Sequence, residues 1–261
     1  MTLHETEALV LRVRPYGELD LLLTFYSKDK GKITGLAKAA QHSRKRFGGR
    51  IDLCSHVNLY YQEKNVSQLV FLAQTELLSH FLNMKKDLLR SAYASFICEL
   101  ILNLVAERDA DAPMFEKIVE LFHSVDQKAE FIGDIFDFHR WFLKRIGLSL
   151  MVSTCASCKQ TMKPQDEYDF SFIQGGVMCL RCKAKFNSDT ALAHACYEYL
   201  KGDCKTPLDA NLQSHLEVFF HKYFSFHYGK AFRSFNYLQE MKQFAQSNVR
   251  HQEDDWRRSG V

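Results

Sequence analysis

The stretch "EALVLRVRPYGELDLLLTFYSKDKGKITGLAKA", Glu7 to Ala39, decides how the N-terminal part of the chain folds. "EALVLRVR" alternates, with Leu9, Leu11 and Val13 on one face, as a half-buried strand does. "DLLLTFYS", the turn "KDKG" and "KITGLAKA" then read as a hairpin, with Gly31 at the tight position where a positive φ is needed. Further on, "IDLCSHVNLYY" and "VSQLVFLAQTE" form a second strand pair around the polar turn "QEKN". Five strands in so short a span suit a small barrel, for which the five-stranded OB-fold is the first candidate. An SH3-like barrel would leave much the same pattern.

From about Leu77 the period becomes helical. In "DLLRSAYASFICELILNLVAER", Leu89, Tyr93, Phe96, Ile97, Leu100, Ile101, Leu104 and Val105 make an i, i+3, i+4 stripe. Asp111 and Pro113 break it, "MFEKIVELFHSV" and "AEFIGDIFDFHRWFLKRIG" continue as helices, and Gly147 ends the last of these. Two more helices are expected, one beginning at "NSDTALAHACYEYLKG" and one over "LQSHLEVFFHKYFSFHYG". The fold class is therefore α+β: an OB-fold barrel over 1–80, then a helical domain over 81–245. A cysteine module is inserted at 151–185, and a polar tail over 246–261 is expected to fray.

With 46% apolar and 25% charged residues, the composition is that of a globular protein and excludes an extended disordered chain. The start, "MTLHETEALVLRVR", lacks the basic and apolar regions of a signal peptide. The longest greasy run, "FICELILNLVA", contains Glu99 and Asn103 and is too short to span a bilayer. A soluble, cytoplasmic protein without a membrane partner is the expectation.

In a reducing compartment, clustered cysteines point to metal rather than to disulfides. Cys155 and Cys158, then Cys179 and Cys182, form two Cys-x-x-Cys pairs at zinc-ribbon spacing, with "QGGV" as a hairpin turn feeding the second pair. Each pair sets two thiolates on one side of a tight turn, and four thiolates fill a tetrahedron, so one structural zinc per chain is expected. Iron, or a site that has lost its metal, remains an alternative. A redox pair would need a βαβ unit, and a zinc deaminase would need His-x-Glu upstream of a cysteine pair; neither is visible. Of the other cysteines, Cys54 within a strand and Cys98 within an apolar helix read as small core residues, and Cys196 and Cys204 lack ligand-like partners. His215, His221 and His227, six apart, fan out around a helix and do not form a ligand set.

The net charge of +3 is unevenly distributed. Lys28, Lys30, Lys32, Lys38, Arg44, Lys45, Arg46 and Arg50 face only Asp29 in their segment, a local +7 that leaves −4 for the rest of the chain. Such a concentration suits a polyanion, although a solvated loop is the ordinary alternative. Phe47, Tyr16, Tyr26, Tyr60 and Tyr61 are candidate stacking surfaces for bases, which with basic side chains make a single-strand-binding face. No phosphate loop, dinucleotide fingerprint or nucleophile elbow is present. A zinc-ribbon enzyme that modifies nucleic acid, or an adaptor with an incidental basic loop, are the competing classes.

The order of these parts resembles the RecO family of recombination mediators. The likeness rests on Arg14, Tyr16, Gly17, Glu18 and Asp20, on Ser27, Gly31 and Lys32, and on "FLKRIGLSLMVSTCASC", "FSFIQGGVMCLRC" and "YFSFHYGKAFRSFNYL". It departs from the family pattern at Lys38-Ala39-Ala40 and at Leu53-Cys54. The resemblance implies a non-enzymatic, nucleoid-associated repair protein that binds single- and double-stranded DNA and anneals complementary strands. It also implies contact with the single-strand DNA-binding protein and, with RecR, loading of RecA on gapped DNA.

Overall fold

The structure, a computed structural model, describes residues 2–43, 45–47, 51–63, 69–163, 167–186, 188–202 and 208–258. Strands β1 (Leu3–Tyr16), β2 (Asp20–Ser27), β3 (Gly31–Ala37), β4 (His56–Gln62) and β5 (Leu69–Ser79) close into a barrel in the order β1-β2-β3-β5-β4. All pairings are antiparallel except β3 with β5, and β1 is long enough to pair with both β2 and β4. This is an OB-like barrel rather than the SH3-like alternative.

The strand in the opening stretch is buried on both faces. Ala8 and Val10 enter the barrel core with Leu23, Phe25, Ile33, Val57, Leu59 and Val70. Between Val10 and Arg12 the register slips at a bulge, after which Val13 packs against the same core. Leu9 and Leu11 therefore do not share the interior face with Val13; they are buried on the other side of the strand. There the helix α2 (Leu88–Leu104) packs on β1.

The chain divides into two compact units, Met1–Ala129 with Phe232–Val261, and Glu130–Ala231. The first unit adds α1 (Leu82–Lys86), α2, α3 (Ala112–Gln127) and the last helix, α8 (Arg233–Arg258), to the barrel. Asp87 caps α2 by accepting from the N–H groups of Leu89 and Arg90, and Asp111 caps α3 at Met114 N–H. Phe96 of α2 meets Phe232 and Phe235, and Glu99 accepts hydrogen bonds from the backbone N–H groups of Arg233 and Ser234. Helix α8 continues to Arg258.

The β2–β3 hairpin is fastened to the helices. Gly31 has left-handed geometry (φ +64°), and a Cβ there would lie 2.1 Å from the carbonyl oxygen of Asp109. Lys32, beside it, is 6% exposed, and its Nζ donates to the carbonyl oxygens of Leu102 and Val105 at 2.7 and 2.6 Å. Those carbonyls lie at the C-terminus of α2, where a cation is favoured by the helix dipole.

In the second unit, α4 (Ile132–Arg145) sets Phe136, His139 and Phe142 against Phe220 and Phe224 of α7 (Ala210–Tyr228). Strands β6 (Glu167–Ser171), β7 (Gly176–Met178) and β8 (Thr190–Ala193) form a sheet in the order β7-β6-β8. Phe170 and Phe172 pack edge-on against Phe219 of α7. The helix expected from "NSDTALAH" begins later, as α6 (His194–Lys201), because Thr190–Ala193 completes the sheet beside β6. Among the described residues no helix is long and apolar enough to cross a membrane.

Candidate metal centre and nucleic-acid interface

The four predicted ligands converge. The Sγ atoms of Cys155, Cys158, Cys179 and Cys182 all lie within 4.8 Å of one another, and those of Cys158 and Cys179 are 3.7 Å apart. A tetrahedron with metal–sulfur bonds of about 2.3 Å requires edges of about 3.8 Å, so the set fits a four-thiolate metal ion. The first turn is closed by Lys159 N–H donating to Cys155 O and by Cys155 N–H donating to Gln160 O, with Lys159 at φ +62°. The second runs from β7 into the short helix α5 (Leu180–Lys183), and Cys182 N–H donates to Cys179 O. Ala156 N–H donates to Val177 O at 2.7 Å and joins the two turns. Gly176 is required for this closeness, since a Cβ there would lie 2.3 Å from Met151 O. The predicted "QGGV" hairpin turn is present, with Gly175 at φ +66°.

The sulfurs are prepared unequally. Burial pushes the Cys155 thiol up, but the backbone N–H groups of Cys158, Cys179 and Ser157 outweigh it and bring its pKa down to about 6. Gln160 N–H, the largest influence, lowers Cys158. Burial pushes Cys182 up to about 11; Ser157 opposes this, while the neighbouring thiols of Cys179, Cys158 and Cys155 add to it. Four sulfurs this close cannot all ionise without a cation among them, and a bound metal supplies that cation.

The basic segment is less uniform than its sequence. Lys38 and Lys45 are exposed, and Lys38 Nζ lies 5.9 Å from the ring centroid of Phe71. Arg46 spreads over Phe47, donates from Nη2 to Lys38 O at 2.7 Å, and accepts Thr75 N–H at its carbonyl. The loop is thus held to β5 and to its own start. Lys28 is paired with Glu116 at 3.1 Å, a contact that raises the lysine's pKa, and Lys30 is half-buried. Lys32 is buried, engaged with the carbonyls of α2 and 3.4 Å from Glu107. Arg44 and Arg50 lie outside the described residues.

The expected stacking residues are mostly elsewhere. Phe47, Tyr26 and Tyr61 are in the interior at 0–1% exposure. Tyr60 donates to Glu5 and Glu76 on an acidic strip of β1, β4 and β5, which repels phosphate. Tyr16 is exposed, and Phe71, not singled out in the sequence, is half-exposed under Lys38. A signal for Phe71 existed: in "LVFLAQ", Val70 and Leu72 alternate inward and leave Phe71 facing out.

A family model described as "Recombination protein O N terminal" matches residues 1–81, and one described as "Recombination protein O C terminal" matches residues 85–234. The chain belongs to the RecO family. A DNA repair protein RecO from Desulfatibacillum aliphaticivorans is 28% identical over 249 residues, 91% of this chain and 96% of the relative. Another from Syntrophotalea carbinolica is 30% identical over 182 residues, covering 68% of each. A third, from Syntrophus aciditrophicus, is 29% identical over 181 residues, covering 69% of each. The boundary between the two RecO models lies near residue 81, where the barrel strands end, whereas the compact unit continues through α3.

Proposed function

We propose that this RecO-family chain binds single- and double-stranded DNA through the barrel, using Lys38, Lys45, Arg46 and the neighbouring Arg44 and Arg50. The observation that carries this reading is the braced cationic loop beside Phe71: Arg46 tied to Lys38 O, Lys38 over an aromatic face, and the backbone tied to β5. Lysine and arginine set in advance around an aromatic ring can follow a phosphate chain and stack a base without reading sequence. Lys28 and Lys30 are secondary contributors, since Lys28 must first leave Glu116. The cysteine set holds one structural zinc, which a closed four-thiolate shell suits and which leaves no position for a substrate.

The chain acts without covalent chemistry as a recombination mediator in the cytoplasm, associated with the nucleoid. It anneals complementary strands by offsetting repulsion between two polyanions. It meets RecR and the single-strand DNA-binding protein and thereby helps RecA load on gapped DNA. Family membership supports these partners.

The test is fluorescence anisotropy with a labelled single-stranded oligonucleotide across a salt series. Reversing Arg44, Lys45 and Arg46 together to Glu is expected to weaken binding at least tenfold. The log–log salt slope should fall by about 2, at about 0.7 for each lost phosphate contact. Wild-type affinity and slope in a folded triple variant would overturn the assignment to the barrel.

A further inference from the structure

Cys54 and Cys98 belong to neither the metal set nor the basic loop, yet they meet. Cys54 sits in the turn between the basic loop and β4, not in the strand expected from the sequence, and Cys98 lies midway along α2. Their Sγ atoms are 3.4 Å apart, and the two residues are 4% and 1% exposed. Two buried cysteines in contact are ordinarily small core residues. Two further observations set this pair apart.

The first is backbone conformation. Cys54 has φ +64°, in the left-handed region where a side chain is strained and glycine is not. The turn is held there by Cys54 N–H donating to Val10 O at 2.8 Å and by Ser55 N–H donating to Asp52 O. Glycine would satisfy this turn without strain, so the cysteine side chain stands here at a backbone cost. The second observation is position. Cys98, itself buried, lies just behind the wall of an open cleft of about 410 Å³ lined by Leu11, Asp52, Leu53, Glu99 and Arg233 among others, so a small outward movement of that wall would uncover it. That space admits a peroxide or a small organic disulfide.

We propose that Cys54 and Cys98 are a reversible oxidation site at which a two-electron oxidant, a peroxide or a small disulfide, converts the pair into a disulfide. The two S–H bonds break and one S–S bond forms. The two electrons and two protons reduce hydrogen peroxide to two molecules of water, or a small disulfide to two thiols. The sulfurs close from 3.4 Å to a bonding distance of about 2.0 Å. A hydrogen bond to Cys54, together with burial, holds the Cys98 thiol well above its ordinary pKa. Reaction is therefore slow and answers sustained oxidation, the setting in which intracellular disulfides act as sensors. The linked form joins the turn that follows the basic loop to α2 and encloses β4, β5 and α1 in one covalent loop.

The test uses the full chain loaded with zinc. Protein is incubated with graded hydrogen peroxide, remaining thiols are alkylated in denaturant, and unreduced digests are mapped by mass spectrometry. A linked Cys54–Cys98 peptide, reversed by dithiothreitol, is expected in the folded protein. It should be accompanied by a rise in the melting temperature on the order of 5–10 °C. Cys54→Gly, which suits the turn, should give neither the peptide nor the rise. Both cysteines recovered alkylated after oxidant has already paired the metal-site cysteines would overturn the proposal. So would a linked peptide that forms only when the protein is unfolded before oxidation. The wild-type map decides the question even if the variant fails to fold.

Discussion

The barrel and the cysteine module are both small, but they are held together differently. The barrel encloses a continuous apolar interior, including Val10, Phe25, Ile33, Phe47, Val57, Leu59 and Val70, and its five strands close into a ring. The module's own cluster consists of Cys155, Ala156, Met178 and Cys182, flanked by Met151, Met162 and Cys179. That cluster around the four ligands is mostly sulfur; the segment's larger apolar side chains, Phe170 and Phe172, pack instead on Phe219 of α7. A barrel of this kind draws its stability from burial, and a module of this kind draws it from metal–thiolate bonds. The same chain uses both solutions because their sizes differ: below a few tens of residues an apolar core no longer offsets chain entropy.

The largest expected effect breaks this comparison at its weaker side. Cys179→Ser, or prolonged chelation, should release the metal and unfold the module, since structural zinc contributes about 10 kcal/mol in small metal domains. Hydrogen exchange should show amides of residues 151–186 losing protection while those of β1 to β5 keep theirs. Equal loss in both regions, or none in either, would contradict the contrast.

A smaller effect tests what binds the barrel to its helices. Lys32→Met should lower the stability of the first unit by about 3 kcal/mol in denaturant melts, because charge-assisted hydrogen bonds to two carbonyls are lost. The folded variant should bind DNA as the wild type does. A lysine that touched phosphate would give the reverse result.

The smallest effect is one of pH. His139, enclosed by Phe136, Phe138, Phe220 and Phe224, is held neutral by burial, with its pKa lowered to about 3 from the usual 6.5. The unfolded chain therefore takes up this proton first. The neutral ring's contribution is complete above pH 6.5 and is lost as pH falls toward 3, at about 1.4 kcal/mol per pH unit. Denaturant melts between pH 7.5 and 5.5 should show wild type losing more stability than His139→Leu. Identical pH slopes would remove His139 as a source of acid sensitivity.

What could be read in advance follows the range of the interactions involved. The five strands, the helices α2 and α3 and the convergence of the four cysteines depend on local period and local spacing, and these survive in sequence. The burial of Lys32 did not, because a lysine after a turn glycine looks solvated until the carbonyls of Leu102 and Val105 are brought to it. Tyr26, Tyr61 and Phe47 looked like stacking surfaces for the same reason: aromatic residues near charge are ambiguous until the barrel closes over them. The contact of Cys54 with Cys98 depends on a left-handed turn that no residue type announced. The strand Thr190–Ala193 is too short to display a period of its own and exists because β6 has an edge to pair.

The return of α8 to the first unit has a consequence for biosynthesis. The chain leaves that unit after Ala129 and re-enters it at Phe232, so Phe232 and Phe235, the partners of Phe96, are synthesised only after the whole intervening unit. At about 5–20 residues per second, the intervening unit is synthesised over roughly 5–20 s, during which α2 still lacks its final helix. During that interval Phe96 and Glu99 are uncovered. A chain stalled in that interval would thus carry the complete sequence of the second unit together with an α2 still bare of Phe232 and Phe235.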